Sequence, residues 1–413
     1  TGCRERGRAG EDQGDAVKAG WQRKSIDAVC EVVNGGTPKT GVAEDWDGPH
    51  QWITPAEMGK RATPYIDQTE RTITNAGLQN SSARLLPAQS VILSSRAPIG
   101  HLVINTVPMA TNQGCKGLVP RDGLDSKYLY YYLASIVPLL NDLGTGATFK
   151  ELSGGKLKEI PIPLPSLPEQ HRIVAILDEA FDGIATAKAS AEQNLQNARA
   201  LFESYLQKVF TERGEGWVGK RLGDVVSRLT NGYVGPTRNI YQESGIPYLL
   251  ARHVRNNGLL FDGKTFIADE FNRKNKKSIL KAGDVLLVQS GYIGHSAVVT
   301  KEHEGHNCHA MIVITSAEDA FIGQFLSLFF NSPVMQQKFQ EIRSGSTVPH
   351  LTCGEVRELT IPLPDLTTQQ RVVDHLQELE AETQHLESLY RQKLAALDEL
   401  KKSLLHRAFG GQL

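Results

Sequence analysis

The feature that most constrains the fold of this chain is an internal repeat with an offset near 199 residues. IPLP at 162–165 returns as IPLP at 361–364, and QHRIV at 170–174 returns as QQRVV at 369–373. Upstream the matches keep their order while the offset drifts, as expected of a duplicated domain with insertions in its surface loops. Chance similarity of Pro-rich linkers would not keep that order over most of each half. The sequence therefore predicts two copies of one fold.

Each copy has a globular part followed by a helical part. Short β-type runs such as SVIL at 90–93 and DVLLV at 284–288 lie next to turn residues, and helical stretches at 125–140 and 319–341 follow them. This mixture predicts an α+β domain in each half. The predicted segments are a disordered polar tail at 1–20, a first domain at 21–167, a long central helix at 168–215, a second domain at 216–366, and a long C-terminal helix at 367–413.

The two helical parts carry apolar residues at heptad spacing, which favours a coiled coil over a helix packed on its own domain. If the two stripes face each other, connectivity makes the helices antiparallel, with the domains at opposite ends and related by a pseudo-two-fold axis. The first stripe is Ile173, Leu177, Ala180, Ile184, Ala187, Ala191, Asn194, Ala198, Leu201 and Tyr205. The second is Val372, Leu376, Leu379, Thr383, Leu386, Tyr390, Lys393, Leu397, Leu400 and Leu404.

Composition limits the cellular setting and the class of protein. The formal net charge of −1 argues against a polycation that coats nucleic acid, although a local basic face remains compatible with it. The most apolar run, at 128–140, is shorter than the ~20 residues of a membrane-spanning helix and contains Pro138. The polar start at 1–20 has no apolar core of a signal peptide. Five cysteines without a CxxC pair suit reduced thiols, so we expect a cytoplasmic protein without a membrane span.

Two local clusters in the second half could bind ligands. Between Arg252 and Lys281, eight basic and three acidic residues give a net charge of +5, which fits either a nucleic-acid-binding face or a solvated charge run. His303, His306, Cys308 and His309 lie within seven residues. They could form a zinc site, contact DNA, or simply belong to a packed surface loop. We predict neither a metal nor any other cofactor.

The repeated motifs resemble those of the specificity subunit of type I restriction-modification systems. The resemblance covers about residues 21–413. It rests on IPIPLPSLPEQHRIV at 160–174 and LTIPLPDLTTQQRVV at 359–373, supported by NGGTP at 34–38, SRAPIG at 95–100 and NQG at 112–114. The second half departs from this pattern, with NGYVGP at 231–236 in place of NGGTP and NCHA at 307–310 set against NQGC at 112–115.

The resemblance implies an architecture and a set of partners. Two similar α+β target-recognition domains would be held apart by two long antiparallel coiled-coil helices, and each domain would read one half of a split double-stranded DNA site. The helices would dock two methyltransferase (modification) subunits, and restriction (motor-nuclease) subunits would join the assembly. The specificity subunit itself would have no catalytic residue.

Residue type predicts the candidate DNA contacts, because Arg reads guanine, Asn and Gln read adenine, and Lys, Ser and Thr bind phosphates. In the first domain they are Lys60, Arg61, Ser95, Arg96, Asn112, Gln113, Thr145 and Thr148. In the second they are Arg252, Arg255, Lys274, Lys276, Gln289, Ser290, Arg343, Ser346 and Thr347.

Two other classes of protein compete with this interpretation. One is an enzyme, either a DNA methyltransferase or a nuclease. The chain lacks the Asn/Asp-Pro-Pro-aromatic loop of amino-methyltransferases, whereas nuclease carboxylates are harder to exclude. The other is a structural coiled-coil linker, which would not explain why two similar domains flank the helices.

Overall fold

The chain packs into two compact units in a computed structural model that describes residues 18, 20–61, 63–96, 98–146, 150–255, 257–343 and 349–413. One unit runs up to Ser190 and includes Lys393–Leu413, and the other is Ala191–Gln392. Each unit holds one globular α+β domain and segments of both long helices.

The first domain is built on a five-stranded sheet, a three-stranded sheet and a two-stranded ribbon. The five strands, in spatial order, are Cys30–Asn34, Cys115–Pro120, Val91–Ser95, Ile99–Asn105 and Tyr65–Ile66. The three are Thr72–Ile73, Trp46–Ile53 and Met109–Thr111, and the ribbon pairs Gln22–Ser25 with Pro161–Leu164. Val91, Ile92 and Leu93 are fully buried, as an uninterrupted apolar strand with both faces covered requires.

Short helices close the first domain. They are Ile26–Val29, Pro55–Met58, Asn75–Gln79, Ser126–Ser135, Val137–Leu143 and Gly154–Glu159, with a 3-10 turn at Ala43–Asp45. The predicted helical stretch at 125–140 is present but is broken, because Pro138 fits only the first turn of a new helix. Asp125 caps the first of these pieces by accepting the Tyr128 backbone N–H at 2.8 Å.

The second domain is also built from two main sheets and short ribbons, and several of its strands are shorter than those of the first domain. One four-stranded sheet is Val226–Asn231, Met311–Ser316, Val285–Val288 and Ser296–Val298, and the other is Tyr241–Gln242, Phe266–Ile267, Ile246–Leu249 and Asn307–Cys308. Two ribbons pair Val254–Arg255 with Gly258–Leu259 and Val218–Arg221 with Thr360–Leu363. Its α-helices are Asp269–Lys274, Gly323–Asn331, Pro333–Ile342 and Cys353–Arg357, and its 3-10 turns are Leu222–Asp224, Ala251–His253, Lys276–Ser278 and Lys301–His303.

The repeat is preserved at the level of single hydrogen bonds. The Leu152 N–H donates to the Ser95 carbonyl at 2.9 Å, and the Leu351 N–H donates to the Gln289 carbonyl at 2.9 Å. Likewise, the N–H groups of Gly35 and Gly232 each donate to a carbonyl at the start of the neighbouring strand. This matching framework confirms the internal duplication that the sequence predicts.

The long helices span Leu167–Glu212 and Leu366–Phe409. Each begins one residue before the predicted segment, 168–215 or 367–413, and ends three or four residues before the end of that segment. In the first unit Arg172 contacts the Leu413 carbonyl at 2.7 Å and Lys188 pairs with Asp398 at 2.8 Å. Residue numbers rise along the first helix while those of the paired residues fall along the second, so the two segments are antiparallel. The second unit shows the same direction, with Arg199 paired to Glu387 at 2.8 Å and the Tyr205 ring beside His375.

The heptad assignment is only partly right. Leu177, Ile184, Ala191 and Ala198 are buried at seven-residue spacing. Leu201, Leu386 and Leu400, also assigned to the stripes, are 65%, 42% and 46% exposed, so their predicted placement is wrong. A straight α-helix drifts by about 20° per heptad, and the buried face moves to neighbouring positions along its length.

Within the described residues, no helix combines the length and the apolar character that crossing a membrane requires. The cysteines Cys30, Cys115, Cys308 and Cys353 are free thiols.

Candidate DNA interface

In the first domain three loops meet around the turn at 112–114. The Asn112 Nδ2 group donates to Thr37 Oγ1 at 3.0 Å, and Asn112 Oδ1 accepts the Gly114 N–H at 2.8 Å. A Cβ atom on Gly35 would lie 2.0 Å from the Asn112 carbonyl oxygen, so only glycine allows this approach. Asn112 therefore shapes the turn, and its neighbour Gln113 is the exposed residue of the pair.

Ser95 and Arg96 lie beside the same turn, and Thr145 is linked to Arg96 through Glu151. Ser95 is fully buried and donates its hydroxyl to the Gly114 carbonyl at 3.1 Å, so it supports the loop from within. Arg96 is half-buried and lies 3.7 Å from Glu151, whose backbone forms two hydrogen bonds with Thr145. Because a single carboxylate neutralises Arg96 only partly near solvent, this guanidinium remains able to contact an anion.

Lys60 and Arg61 follow the short helix Pro55–Met58, whose first residue also borders Gly114. Lys60 is exposed and pairs with Glu70 at 2.9 Å, while Arg61 is half-buried. The exposed Lys60–Glu70 pair is worth little in water. The structure thus places Arg96 and Gln113 at one turn, links Thr145 to Arg96 through Glu151, and puts Lys60 and Arg61 on an adjoining element.

In the second domain Gln289 and Ser290 occupy the places of Ser95 and Arg96. The backbones of Ser290 and His350 form a β-bridge, as those of Arg96 and Glu151 do in the first domain, so the backbone framework is retained with different side chains. The Gln289 Oε1 atom is buried and has no hydrogen-bond partner among the described residues. Arg343 is exposed at the end of Pro333–Ile342. Thr148, Ser346 and Thr347 lie outside the described residues.

The basic segment of the second domain divides into paired and unpaired cations. Arg252 donates to Asp262 at 3.1 Å. Desolvation opposes the Asp262 charge, but hydrogen bonds from Arg252 and the Lys264 N–H outweigh it and lower the pKa of Asp262 to about 2. Lys274 and Lys276 are exposed, and within the described chain neither has a carboxylate within 4.0 Å.

Tyr292 is a candidate contact that the sequence-based search missed. Its side chain is 52% exposed, and the Arg255 guanidinium carbon lies 4.6 Å from the centre of its ring. An exposed aromatic face held by an arginine can stack on a nucleotide. The pattern Gly291-Tyr292-Ile293-Gly294 between two strands could have indicated it, because both glycines adopt positive φ angles at a tight loop.

The sequence pairing of Asn112 with Asn307 is wrong by two positions. The Asn112 N–H donates to the Ile53 carbonyl at 2.8 Å, and the equivalent bond in the second domain runs from the His309 N–H to Leu249 at 2.9 Å. His309 therefore takes the place of Asn112. The turn that follows is one residue shorter in the second domain, where it runs from His309 to Met311 and not, as in the first domain, from Asn112 to Cys115.

The His/Cys loop is packed into the second domain. Cys308 is fully buried, and burial raises the pKa of its thiol to about 12, which disfavours the thiolate that binds metals. His303 is buried and hydrogen-bonds Thr300 at 2.8 Å. In the part of the chain that the structure describes, no three His, Cys, Asp or Glu side chains converge as metal ligands.

These histidines predict that the second domain loses stability in acid. Burial lowers the pKa values of His306 and His309 below the ~6.5 of an unfolded chain. Between the two values the unfolded state binds more protons, so the free energy of unfolding falls as the pH drops below about 6.5. Urea unfolding at pH 7.5 and 5.5 should show this loss, and a His306→Gln, His309→Gln variant should show less of it. An equal loss in that variant would assign the effect to other groups.

Comparison with known proteins agrees with this architecture. The model of the type I restriction modification DNA specificity domain matches the chain twice, at residues 18–195 and 214–395. The MjaIX specificity subunit of Methanocaldococcus jannaschii is 29% identical over 417 residues, covering 95% of this chain and 93% of that protein. The EcoBI specificity subunit of Escherichia coli is 22% identical over 426 residues, covering 96% and 87%.

Solved structures share the fold. The HsdS subunit of Thermoanaerobacter tengcongensis superimposes with a TM-score of 0.63 at 16% identity, covering 97% of this chain and 99% of that one. A chain from work on complex assembly and conformational transition of a type I restriction-modification system gives 0.78 at 17% identity, covering 96% and 100%.

The family match and these relatives favour a non-catalytic DNA-recognition subunit over an enzyme and over a structural linker. The family description, a DNA specificity domain, also agrees with the expected DNA partner. This chain belongs to the type I restriction-modification DNA specificity family.

Proposed function

We propose that the chain selects a bipartite double-stranded DNA target, with one block of bases read by each globular domain. The observation that carries this proposal is that one hydrogen-bonded framework is built twice with different side chains at its loops. A shared framework presents each domain to DNA in a similar way. Different loop residues, such as Arg96 against Ser290, give each domain its own base preference.

The proposed contact residues are those whose charged or polar groups reach solvent. In the first domain they are Lys60, Arg61, Arg96, Gln113 and Thr145, and in the second they are Arg252, Arg255, Lys274, Lys276, Tyr292 and Arg343. Ser95, Asn112, Gln289 and Ser290 are proposed to hold the loops in shape. Thr148, Ser346 and Thr347 remain proposed contacts by residue type alone.

The proposed assembly contains two methyltransferase subunits for each specificity subunit, one for each repeat, and restriction subunits in addition. The duplicated framework supports this number, because two equivalent surfaces bind two equivalent partners. We propose the cytoplasm as its location, where DNA is accessible and the free thiols of Cys30, Cys115 and Cys308 stay reduced.

Methylation mapping tests the proposed function directly. Cells expressing this chain with its modification subunit should methylate sites made of two short specific blocks separated by an unread gap of fixed length. Cells with the modification subunit alone should lack this pattern. A single continuous motif, or a pattern that does not depend on this chain, would contradict the proposal.

Charge reversal tests the basic face of the second domain. Arg255→Glu, or Lys274→Glu with Lys276→Glu, should weaken DNA binding by the assembled complex. Each lost phosphate contact should lower the slope of log affinity against log salt by about 1. Lys402→Glu is the control, because Lys402 is exposed on the C-terminal helix and pairs with Glu399. An unchanged slope in the Arg255 and Lys274 variants would leave this segment as a solvated charge run.

A further inference from the structure

Each long helix carries a buried glutamine in its first turn that the proposed contacts leave unexplained. Gln170 and Gln369 are equivalent in the repeat, and both side chains are fully buried. Gln170 Nε2 donates to the carbonyls of Gly123 and Pro165, each at 2.9 Å, and its Oε1 accepts the Asp125 N–H at 2.9 Å. One side chain therefore joins three segments of backbone.

Gln369 makes the same three bonds in the second unit. Its Nε2 donates to the carbonyls of Pro364 at 2.9 Å and Ala320 at 3.4 Å, and its Oε1 accepts the Ile322 N–H at 2.8 Å. In both units one donor bond holds the Pro-rich turn before the long helix. The other two bonds hold the loop that leads into a domain helix, Ser126–Ser135 or Gly323–Asn331.

These bonds supply an angular restraint that the surrounding apolar packing lacks. Around Gln170 the helix packs on the domain through Ile173 and Leu177, and around Gln369 through Val373 and Leu376. Apolar burial is non-directional and tolerates small rotations. Hydrogen bonds weaken steeply away from linearity, so three of them on one amide resist rotation of the domain against its helix.

A small rotation of a domain at the joint between it and its long helix would matter to DNA recognition. A domain of this size has a radius of gyration of ~15 Å, so parts of its surface lie ~20 Å or more from the contact between the domain and its long helix. At that distance a rotation of about 10° moves the surface by about 3.5 Å, close to the ~3.4 Å between successive base pairs. The joint therefore has the leverage to shift a domain by one base pair.

We propose that Gln170 and Gln369 are positioning residues that fix the angle of each domain on its long helix and thereby restrict the target to a single gap length. The inference rests on the proposed bipartite target. It assigns no base contact to either glutamine. Each acts through the domain that it orients.

The test uses Gln170→Met and Gln369→Met in the full chain, expressed with the modification subunit and analysed by methylation mapping. Methionine keeps the length of the side chain but removes all three hydrogen bonds. Gln370→Met is the matched control beside Gln369, because Gln370 is exposed and bonds only its helix neighbour Asp374 among the described residues. Gln193→Met, an exposed position on the central helix, is the control for Gln170.

We expect the wild type and both controls to methylate one gap length. Gln170→Met and Gln369→Met should keep the same two blocks but also methylate sites whose gap is one base pair longer or shorter. Retention of the single wild-type gap at any level of methylation would overturn the proposal, and so would loss of all methylation in both variants. Absence of a bipartite motif in the wild type would instead refute the proposed function itself.

Discussion

Asp284→Ala is expected to destabilise the second domain by roughly 3–5 kcal/mol, because it removes one partner of a buried ion pair. The Asp284 side chain is fully buried, and its carboxylate accepts hydrogen bonds from Arg228, from Thr315 at 2.5 Å and from the Lys281 N–H at 2.7 Å. Alanine would leave all three donors without their acceptor, and the Arg228 guanidinium would stay largely buried. Hydrogen exchange should report the loss in the strands Val285–Val288 and Met311–Ser316.

Two comparisons separate this effect from a general cost of substitution. Asp269→Ala removes the exposed partner of Arg273 in the same domain and should cost less than about 1 kcal/mol. The double change Arg228→Met with Asp284→Leu replaces both charges by apolar groups and should recover much of the loss. Equal effects of Asp284→Ala and Asp269→Ala would contradict the assignment. Exchange in Val91–Ser95 of the first domain serves as an internal reference.

The elements that sequence predicts well here depend on local chemistry. The two long helices begin within one residue of the expected position. A Pro-rich turn separates each of them from the preceding strand and marks where the helix can start. The internal repeat is recognisable in the sequence because its matches cluster in these turns and in the helix starts that follow them. Gln170 and Gln369 lie in that matched segment, and their burial explains why both copies need the same residue.

The elements that sequence predicts poorly depend on register and on long-range packing. The heptad pattern places Leu201 inside, but the slow drift of a straight helix turns this position to solvent. The residue of the second domain that is equivalent to Asn112 can be identified only from the structure, in which Ile53 pairs with Thr111 and Leu249 pairs with Cys308 in parallel strands. A one-residue change in a turn alters that register without leaving a clear pattern in the sequence.

Candidate contacts chosen by residue type mix two roles that the structure separates. Ser95 and Gln113 are equally plausible by chemistry, yet one is fully buried under the turn and the other faces solvent. Tyr292 was missed because a single tyrosine in a glycine-rich loop is common. Its exposure and the stacked Arg255 appear only when the strands Val254–Arg255 and Ser296–Val298, which lie 41 to 44 residues apart in sequence, are folded together.

Lengthening both long helices by one heptad is expected to lengthen the unread gap of the target by roughly three base pairs. Seven residues add about 10 Å to a helix, and successive base pairs are about 3.4 Å apart. The insertions belong between Ala189 and Ser190 and between Ala395 and Ala396. These sites keep the pair Lys188–Asp398 on one side and the pair Arg199–Glu387 on the other. A whole heptad also preserves the facing of the apolar stripe.

Methylation mapping of this variant separates length from recognition. Because neither globular domain is altered, the two specific blocks should remain as in the wild type while the gap between them grows, provided that the methyltransferases still dock. As a control, replacing seven native residues of each helix by the inserted sequence, which adds no length, should leave the gap unchanged. Insertion in one helix alone breaks the pairing of Lys188 with Asp398 or of Arg199 with Glu387 and should reduce methylation at every site. An altered block with an unaltered gap in the double insertion would mean that the helices do not act as a ruler.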